Sequence, residues 1–169
     1  MTPVALVRDL AAPVRRATLR DVPGIVALVA AWAAEGLLLA RSAAEVAAAV
    51  DAYVVAADAR GRVLACAAVR EYSPSLAEVV SVAVAGEAQG MGLGRRVVRA
   101  AEGLARVRGH AAVFAHTLQD DFFEALGYEC VDRGLYPEKR GRAHTRCFRR
   151  ALAEAGAAPA AAAPALAAA

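Results

Sequence analysis

The chain has 169 residues, 59% of them hydrophobic and only 5% aromatic, with 20 basic against 17 acidic residues for a formal net charge of +3. That length makes one domain whose core needs neither disulfide nor structural metal, and the apolar content excludes a disordered chain. So small a basic surplus, with aromatics this sparse, argues against a nucleic-acid binder and suits a small anionic ligand.

Residues 1–13 read as a short N-terminal arm without a clear period. They show no basic region followed by an apolar run and a cleavage site, so a cytoplasmic chain is expected. The apolar runs that follow are broken by Glu35, Arg41, Glu45 and Asp51 short of the roughly 18 residues of a membrane helix, so no membrane partner is expected. Residues 14–17 form a short strand. Thr18-Leu-Arg-Asp21 is a capping box that opens a helix through Ile25, Leu28, Val29 and Trp32, ending near Gly36. Ser42-Ala-Ala-Glu45 repeats the pattern and opens a second helix ending near Asp51. Then the period changes from helical to alternating. Residues 53–57 and 63–70 make a hairpin around Asp58-Ala-Arg-Gly61. Residues 77–84, rich in Val and almost wholly apolar, predict a strand at the centre of a sheet.

The stretch Gly86-Glu-Ala-Gln-Gly-Met-Gly-Leu-Gly94 comes next, and then a helix with Val97, Val98, Ala101, Leu104 and Ala105 on its apolar face and Arg95, Arg99, Glu102 and Arg106 on the other. Residues 111–116 read as a buried strand, 120–126 as a short helix capped by Gly127, 128–132 as a strand, and 145–152 as a strand closing the sheet. Residues 153–169 form an Ala/Pro-rich disordered tail, with Gly156, Pro159 and Pro164 interrupting it. Cys66, Cys130 and Cys147, odd in number and widely spaced in apolar contexts, read as small buried hydrophobes, and no metal site is indicated. The domain at 14–152 is therefore α/β, with a mixed, mostly antiparallel sheet flanked by helices in the order β-α-α-β-β-β-α-β-α-β-β.

Glycines between a buried strand and a helix leave backbone N–H groups free at a positive helix end, which is a phosphate site. No lysine follows them, which excludes the nucleoside-triphosphate loop, and Gly90, Gly92 and Gly94 alternate, unlike the dinucleotide fingerprint. Gln89-Gly-Met-Gly92-Leu-Gly94 does fit Gln/Arg-x-x-Gly-x-Gly/Ala, and here the chain resembles the GNAT family of acetyl-CoA-dependent N-acetyltransferases. The resemblance implies acetyl-CoA as co-substrate and a GNAT-like single domain. It implies a pyrophosphate on Gln89, Gly90, Met91, Gly92, Leu93, Gly94 and Arg95, and a pantetheine arm along the backbone of Val82, Ala83 and Val84.

Within that family the stretches beginning at Gly36, Tyr72, Phe114, Phe122 and Leu135 are similar, in order, to the acetyltransferase domains of bacterial N-acetylglutamate synthases. This implies an enzyme that acetylates the α-amine of L-glutamate at the first step of arginine biosynthesis. The amino-acid-kinase-like domain of those synthases has no counterpart among these residues, and residues 142–145 depart from their pattern. The same residues leave open a GNAT enzyme acting on another amino acid or small amine, and an inactive fold that binds acyl-CoA as a regulator; a homodimer is also left open.

Acetyl transfer needs the amine as free base, so a proton acceptor is required at neutral pH. Glu78, an acid on an otherwise apolar strand, is the candidate, its proton affinity raised by burial. A backbone N–H near Val82 is placed to donate to the developing oxyanion. The thiol leaves readily as thiolate, so a strong general acid is optional. Thr117 matches a hydroxyl residue of the synthases, whereas Phe123 stands where many GNAT enzymes use a Tyr. Strand alternation turns His116 away from Thr117, and it reads as a satisfied structural histidine. Two carboxylates call for at least two cations. By resemblance Arg41 and Arg140 contact them, with Lys139, Arg142 and Thr145 in the same loop; a solvated basic turn is the alternative for that loop.

Overall fold

The computed structural model of the chain describes residues 12–136 and 145–152. The first strand, β1 (Val14–Arg16), runs into a 3-10 turn at Leu19–Asp21 whose capping box is complete. The Thr18 amide and hydroxyl donate to the Asp21 carboxylate at 2.8 and 3.0 Å, and Arg15 grips its two oxygens at 2.7 and 2.9 Å. Helix α1 (Val22–Ala34) follows with a proline in its first turn and buries Ile25, Leu28 and Val29. It stops at Gly36, whose φ of +78° supplies the left-handed residue of a helix end. Ser42 caps α2 (Ala43–Ala48), accepting from the Glu45 amide at 3.2 Å while the Glu45 carboxylate accepts from the Ser42 amide at 2.8 Å. Both capping boxes read from the sequence are present.

Strands β2 (Tyr53–Ala57) and β3 (Val63–Ser73) form the expected hairpin, with the Asp58 carboxylate accepting from the Arg60 and Arg62 amides across the turn. The second of these is longer than its apolar pattern predicts. Arg70 pairs with Glu78 and Glu71 with Ala77, so ladder bonds to the next strand carry β3 past its last buried residue, Val69. That next strand, β4 (Leu76–Val84), stands fourth in a seven-stranded sheet formed by the described residues, ordered β1-β2-β3-β4-β5-β7-β6. Its central place is as expected. Helix α3 (Leu93–Val107) carries the chain back so that β5 (Ala112–Thr117) lies parallel to β4. The remaining strand contacts are antiparallel: β7 (Arg146–Ala151) inserts between β5 and β6 (Glu129–Val131), reached after the short helix α4 (Asp120–Ala125). This is the mixed α/β arrangement expected from the element order. The arm and tail fall largely on residues 1–11 and 153–169, outside those described.

Two side-chain placements correct the sequence reading. Glu102, assigned to the outer face of α3, is 1% exposed. Its oxygens accept from Arg99 at 3.0 Å, and Arg106 and Arg150 stand at 3.8 and 3.9 Å, so it is buried by its own cations. Cys66 and Cys147 are buried as expected, but Cys130 on the edge strand β6 is exposed, its sulfur 3.1 Å from the Arg146 guanidinium.

The Arg15 clamp makes the α1 entry sensitive to acid. The hydrogen-bonded guanidinium holds Asp21 at a pKa of about 2, below the ordinary 3.8. A depressed carboxylate contributes stability that is present above the unfolded value and lost as pH falls from about 4 toward 2. Asp21→Asn is expected to cost about 1 to 2 kcal/mol at pH 7, after allowance for the solvent screening half-exposed Arg15, with the difference from wild type shrinking between pH 4 and 2. Urea unfolding across that range checks it.

Candidate active site

Strands β4 and β5 pair only over three residues, Leu76, Ala77 and Glu78 against Ala112, Val113 and Phe114. β4 then runs six residues further with no strand on that edge. Its other edge shows why the two part. The register against β3 jumps between Ala68↔Val80 and Cys66↔Ala83, and Ser81 sits in the bulge at φ +53°, a left-handed conformation costing a non-glycine residue about 1 kcal/mol or more. Buried Cys66 backs the bulge, its Sγ donating to the Ser81 carbonyl at 3.3 Å, and burial pushes that thiol up to about 12. Tyr53 Oη lies 3.4 Å from Ser81 Oγ.

The parted strands open a cleft of about 810 Å³. Of the residues singled out in the sequence, Arg41, Glu78, Val82, Ala83, Val84, Gln89, Gly90, Gly92, Leu93, Gly94, Arg95, Thr117 and Thr145 line it; Met91 is exposed outside its wall. Lys139, Arg140 and Arg142 lie outside the described residues. At one end is the glycine loop, where Gly90 and Gly92 both take φ +75° and Gly92 is the N-cap of α3. The amides of Leu93, Gly94 and Arg95 form the first turn and have no intrahelical acceptor. Gly94 permits close packing: a Cβ there would stand 3.2 Å from the Phe122 ring and 3.4 Å from the Val84 side chain, a tight fit. The Trp32 indole fixes the same end of β4, donating to the Val84 carbonyl at 2.9 Å.

A carrier with an anionic head and a long uncharged arm fits this shape. From Val84 back to Glu78 the strand spans about 20 Å, at roughly 3.3 Å per residue. Its edge lacks a strand partner, and the helix start with Arg95 supplies the positive end. The residues present therefore suit a pyrophosphate on the loop and an amide-bearing arm along β4.

The vertex of the cleft holds the titratable groups. Glu78 is buried, its Oε2 accepting from Arg70 Nη2 at 2.6 Å and its Oε1 lying 3.5 Å from His116 Nδ1. Arg70 was not anticipated, although the tight Pro74-Ser75 turn sets the hairpin register that brings it opposite Glu78. The reading of His116 is corrected. Glu78 pairs with Phe114, so Phe114 and His116, two residues apart, share the face of Glu78, and it is Thr117 that alternates to the other face. His116 is also not satisfied: its buried Nε2 has no hydrogen-bond partner among the described residues. Thr117 Oγ1 accepts from the Gln119 amide at 2.8 Å at the end of β5. Phe123 is buried edge-on against Tyr128, with ring centroids 5.1 Å apart, and offers no hydroxyl. Arg41 stands on the rim, 3.8 Å from Glu45. Among the described lining residues the permanent charges are Arg41, Arg70 and Arg95 against Glu78.

Residues 26–128 match the profile of the Acetyltransferase (GNAT) family. An uncharacterized N-acetyltransferase of Chlorobaculum tepidum is 35% identical over 137 residues, which cover 81% of this chain and 88% of that protein. Among solved structures, N-acetylglutamate synthase from Neisseria gonorrhoeae, complexed with coenzyme A and N-acetyl-glutamate, matches 84% of the chain with a TM-score of 0.76 at 23% identity. The chain spans only 35% of that synthase chain. A Mycobacterium tuberculosis protein in complex with CoA matches 83% of this chain and 99% of its own with a TM-score of 0.74 at 25% identity.

Gly92→Val tests the loop. A β-branched residue at φ +75° is strained and would add bulk at the helix start where a bound pyrophosphate is expected. Coenzyme A affinity measured by calorimetry is expected to fall roughly 10-fold or more, a loss of about 1.4 kcal/mol; unchanged affinity would remove the loop from the phosphate site.

Proposed function

Because the chain belongs to the GNAT acetyltransferase family and is an acetyl-CoA-dependent N-acetyltransferase, we propose that its acceptor is the α-amine of L-glutamate, the reaction of an N-acetylglutamate synthase in arginine biosynthesis. One observation carries this reading: Arg41 and Arg70 both line the cleft and come together around Val69 and Val80, with Arg70 on Glu78 and the glycine loop at the other end of β4. The phosphates do not need them there. An acceptor with two carboxylates does, because paired guanidiniums grip carboxylates in a fixed geometry. Lys139, Arg140, Arg142 and Thr145 complete this acceptor side in the proposal. Support also comes from the likeness in fold to the Neisseria synthase, whose structure holds N-acetyl-glutamate.

In the proposed reaction the pyrophosphate lies on Gln89, Gly90, Gly92, Leu93, Gly94 and Arg95, and the pantetheine arm pairs with the open edge of β4 at Val82–Val84. The thioester then falls near the bulge. The Glu78 carboxylate is the proton-accepting centre as general base, the Val82 amide donates to the oxyanion, and the Thr117 hydroxyl, from its place on the cleft wall, assists the departing sulfur. The free amine attacks the carbonyl carbon, the N–C bond forms, the C–S bond breaks, and the thiolate takes up the proton shed by the new amide nitrogen.

Glutamine decides the matter, since it keeps the size of glutamate and lacks one charge. A hydrogen bond to a charged group contributes about 1.5 to 3 kcal/mol, so glutamate should exceed glutamine in kcat/KM by roughly 10- to 100-fold. Arg41→Ala is expected to reduce glutamate turnover while acetyl-CoA binding stays near normal. Thiol release from acetyl-CoA across a panel of amino acids measures both; equal turnover of glutamate, glutamine and an uncharged amino acid refutes the acceptor and leaves the transferase.

A further inference from the structure

We propose that the proton acceptor of this site is the Glu78–His116 pair, with His116 Nε2 as the atom that takes the proton from the acceptor amine and Glu78 as the carboxylate that orients the ring. This rests on the transferase reading above and revises it at one atom: the proton assigned there to the Glu78 carboxylate is taken by His116, and Glu78 acts through the ring.

The geometry carries it in three steps. Glu78 is held by Arg70 at 2.6 Å, and a guanidinium at that distance stabilises the carboxylate charge, so adding a proton to Glu78 would forfeit the ion pair. The other oxygen, Oε1, faces His116 Nδ1 at 3.5 Å, where an Nδ1–H is the natural donor to a carboxylate. With the proton on Nδ1, Nε2 carries the lone pair. That atom is buried in a side chain only 7% exposed, lacks a hydrogen-bond partner among the described residues, and belongs to a residue of the cleft wall. A buried acceptor without a partner calls for a water or a substrate proton. The 3.5 Å separation is loose for a hydrogen bond, as acid–base pairs commonly are before substrate closes them.

The ring is held for this task. Phe114 meets it edge-on at 5.6 Å and is itself stacked on Tyr136 at 4.1 Å and met edge-on by Tyr72 at 5.3 Å. The charged and titratable groups around it are few. β4 contributes Glu78 and β3 contributes Arg70. β7 contributes Cys147, its register partner, whose thiol burial pushes up to about 11 and so keeps neutral, and Arg149, opposite Phe114. Tyr72 and Tyr136 lie behind Phe114. Glu78 is thus the one anion set against the imidazole among the described residues.

In the reaction the substrate α-ammonium gives one proton to Nε2, directly or across one water, and the resulting imidazolium is stabilised by Glu78. The free amine attacks, N–C forms as C–S breaks, and the thiolate collects the second nitrogen proton. The imidazolium then returns its proton to solvent.

His116→Asn is the informative variant, because its amide can replace the Nδ1–H donor to Glu78 but offers no base at the Nε2 position. Its kcat at pH 7 is expected to fall by roughly 10² to 10⁴ with acetyl-CoA affinity by calorimetry within twofold of wild type, and the acid limb of kcat/KM against pH should move up to the pKa of the substrate ammonium itself. His116→Gln should behave likewise. A kcat within threefold of wild type and an unchanged acid limb in both, with Glu78→Gln still impaired, would overturn the proposal and return the proton to Glu78 itself. If another amine proves to be the substrate, the glutamate reading fails and the same variants are read with that amine. For a chain that turns over none, nitrogen NMR of His116 decides: an Nδ1–H tautomer that Glu78→Gln abolishes supports the pair, and an Nε2–H tautomer in the wild type overturns it.

Discussion

The short parallel contact between β4 and β5 is the constraint on which the rest of the site depends. Three residue pairs join the two strands at the vertex, after which the central strand of the sheet runs on with one edge unpaired. An interior strand that forgoes its ladder leaves backbone polar groups without partners, at about 1 to 3 kcal/mol for each one kept from water. The structure tolerates this because the parted edge faces an open cleft. The Ser81 bulge bends β4 away on the β3 side, and Phe122 and Phe123 of α4 stand in the space that opens, so the separation is built into the packing.

Two contacts then set where β4 ends. Trp32 of α1 bonds the Val84 carbonyl, and Gly94 lets α3 pack so close to Val84 and Phe122 that even a methyl there would press on the Phe122 ring. The helix start is therefore fixed with respect to the open strand edge, and both belong to one continuous stretch of chain from β4 through Gly92 into α3. A ligand that bonds the edge and the loop together meets two surfaces held in register by steric contact. Such preorganisation spares the ordering cost that a flexible loop would pay on binding.

Much of this was legible in the sequence because it is local. Capping boxes at Thr18 and Ser42, the Asp58 turn, the glycine spacing and the apolar centrality of β4 each depend on residues within a few positions of one another, and each is present. What depended on register was not legible. Arg70 lies eight residues from Glu78 and meets it only through a bulged hairpin; His116 meets it only through a parallel pairing whose offset no pattern announces. Period-two alternation correctly separated His116 from Thr117, yet it could not say which of the two shares a face with Glu78. Glu102 misled for another reason: an acid on the arginine side of an amphipathic helix reads as solvated, but Arg99, Arg106 and Arg150 fold over it and close it in.

The distribution of charge along the cleft links these elements. Arg95 stands by the glycine loop, Arg70 on Glu78 at the vertex, and the six residues from Val79 to Val84 between them bear no charge. A chain with a net charge of only +3 thus places separate cationic sites about 20 Å apart at the two ends of a neutral strand. That pattern matches a carrier anionic at its head and uncharged along its arm. At the far end of that arm Arg70 pairs with Glu78, so the buried carboxylate does not stand there as an isolated charge.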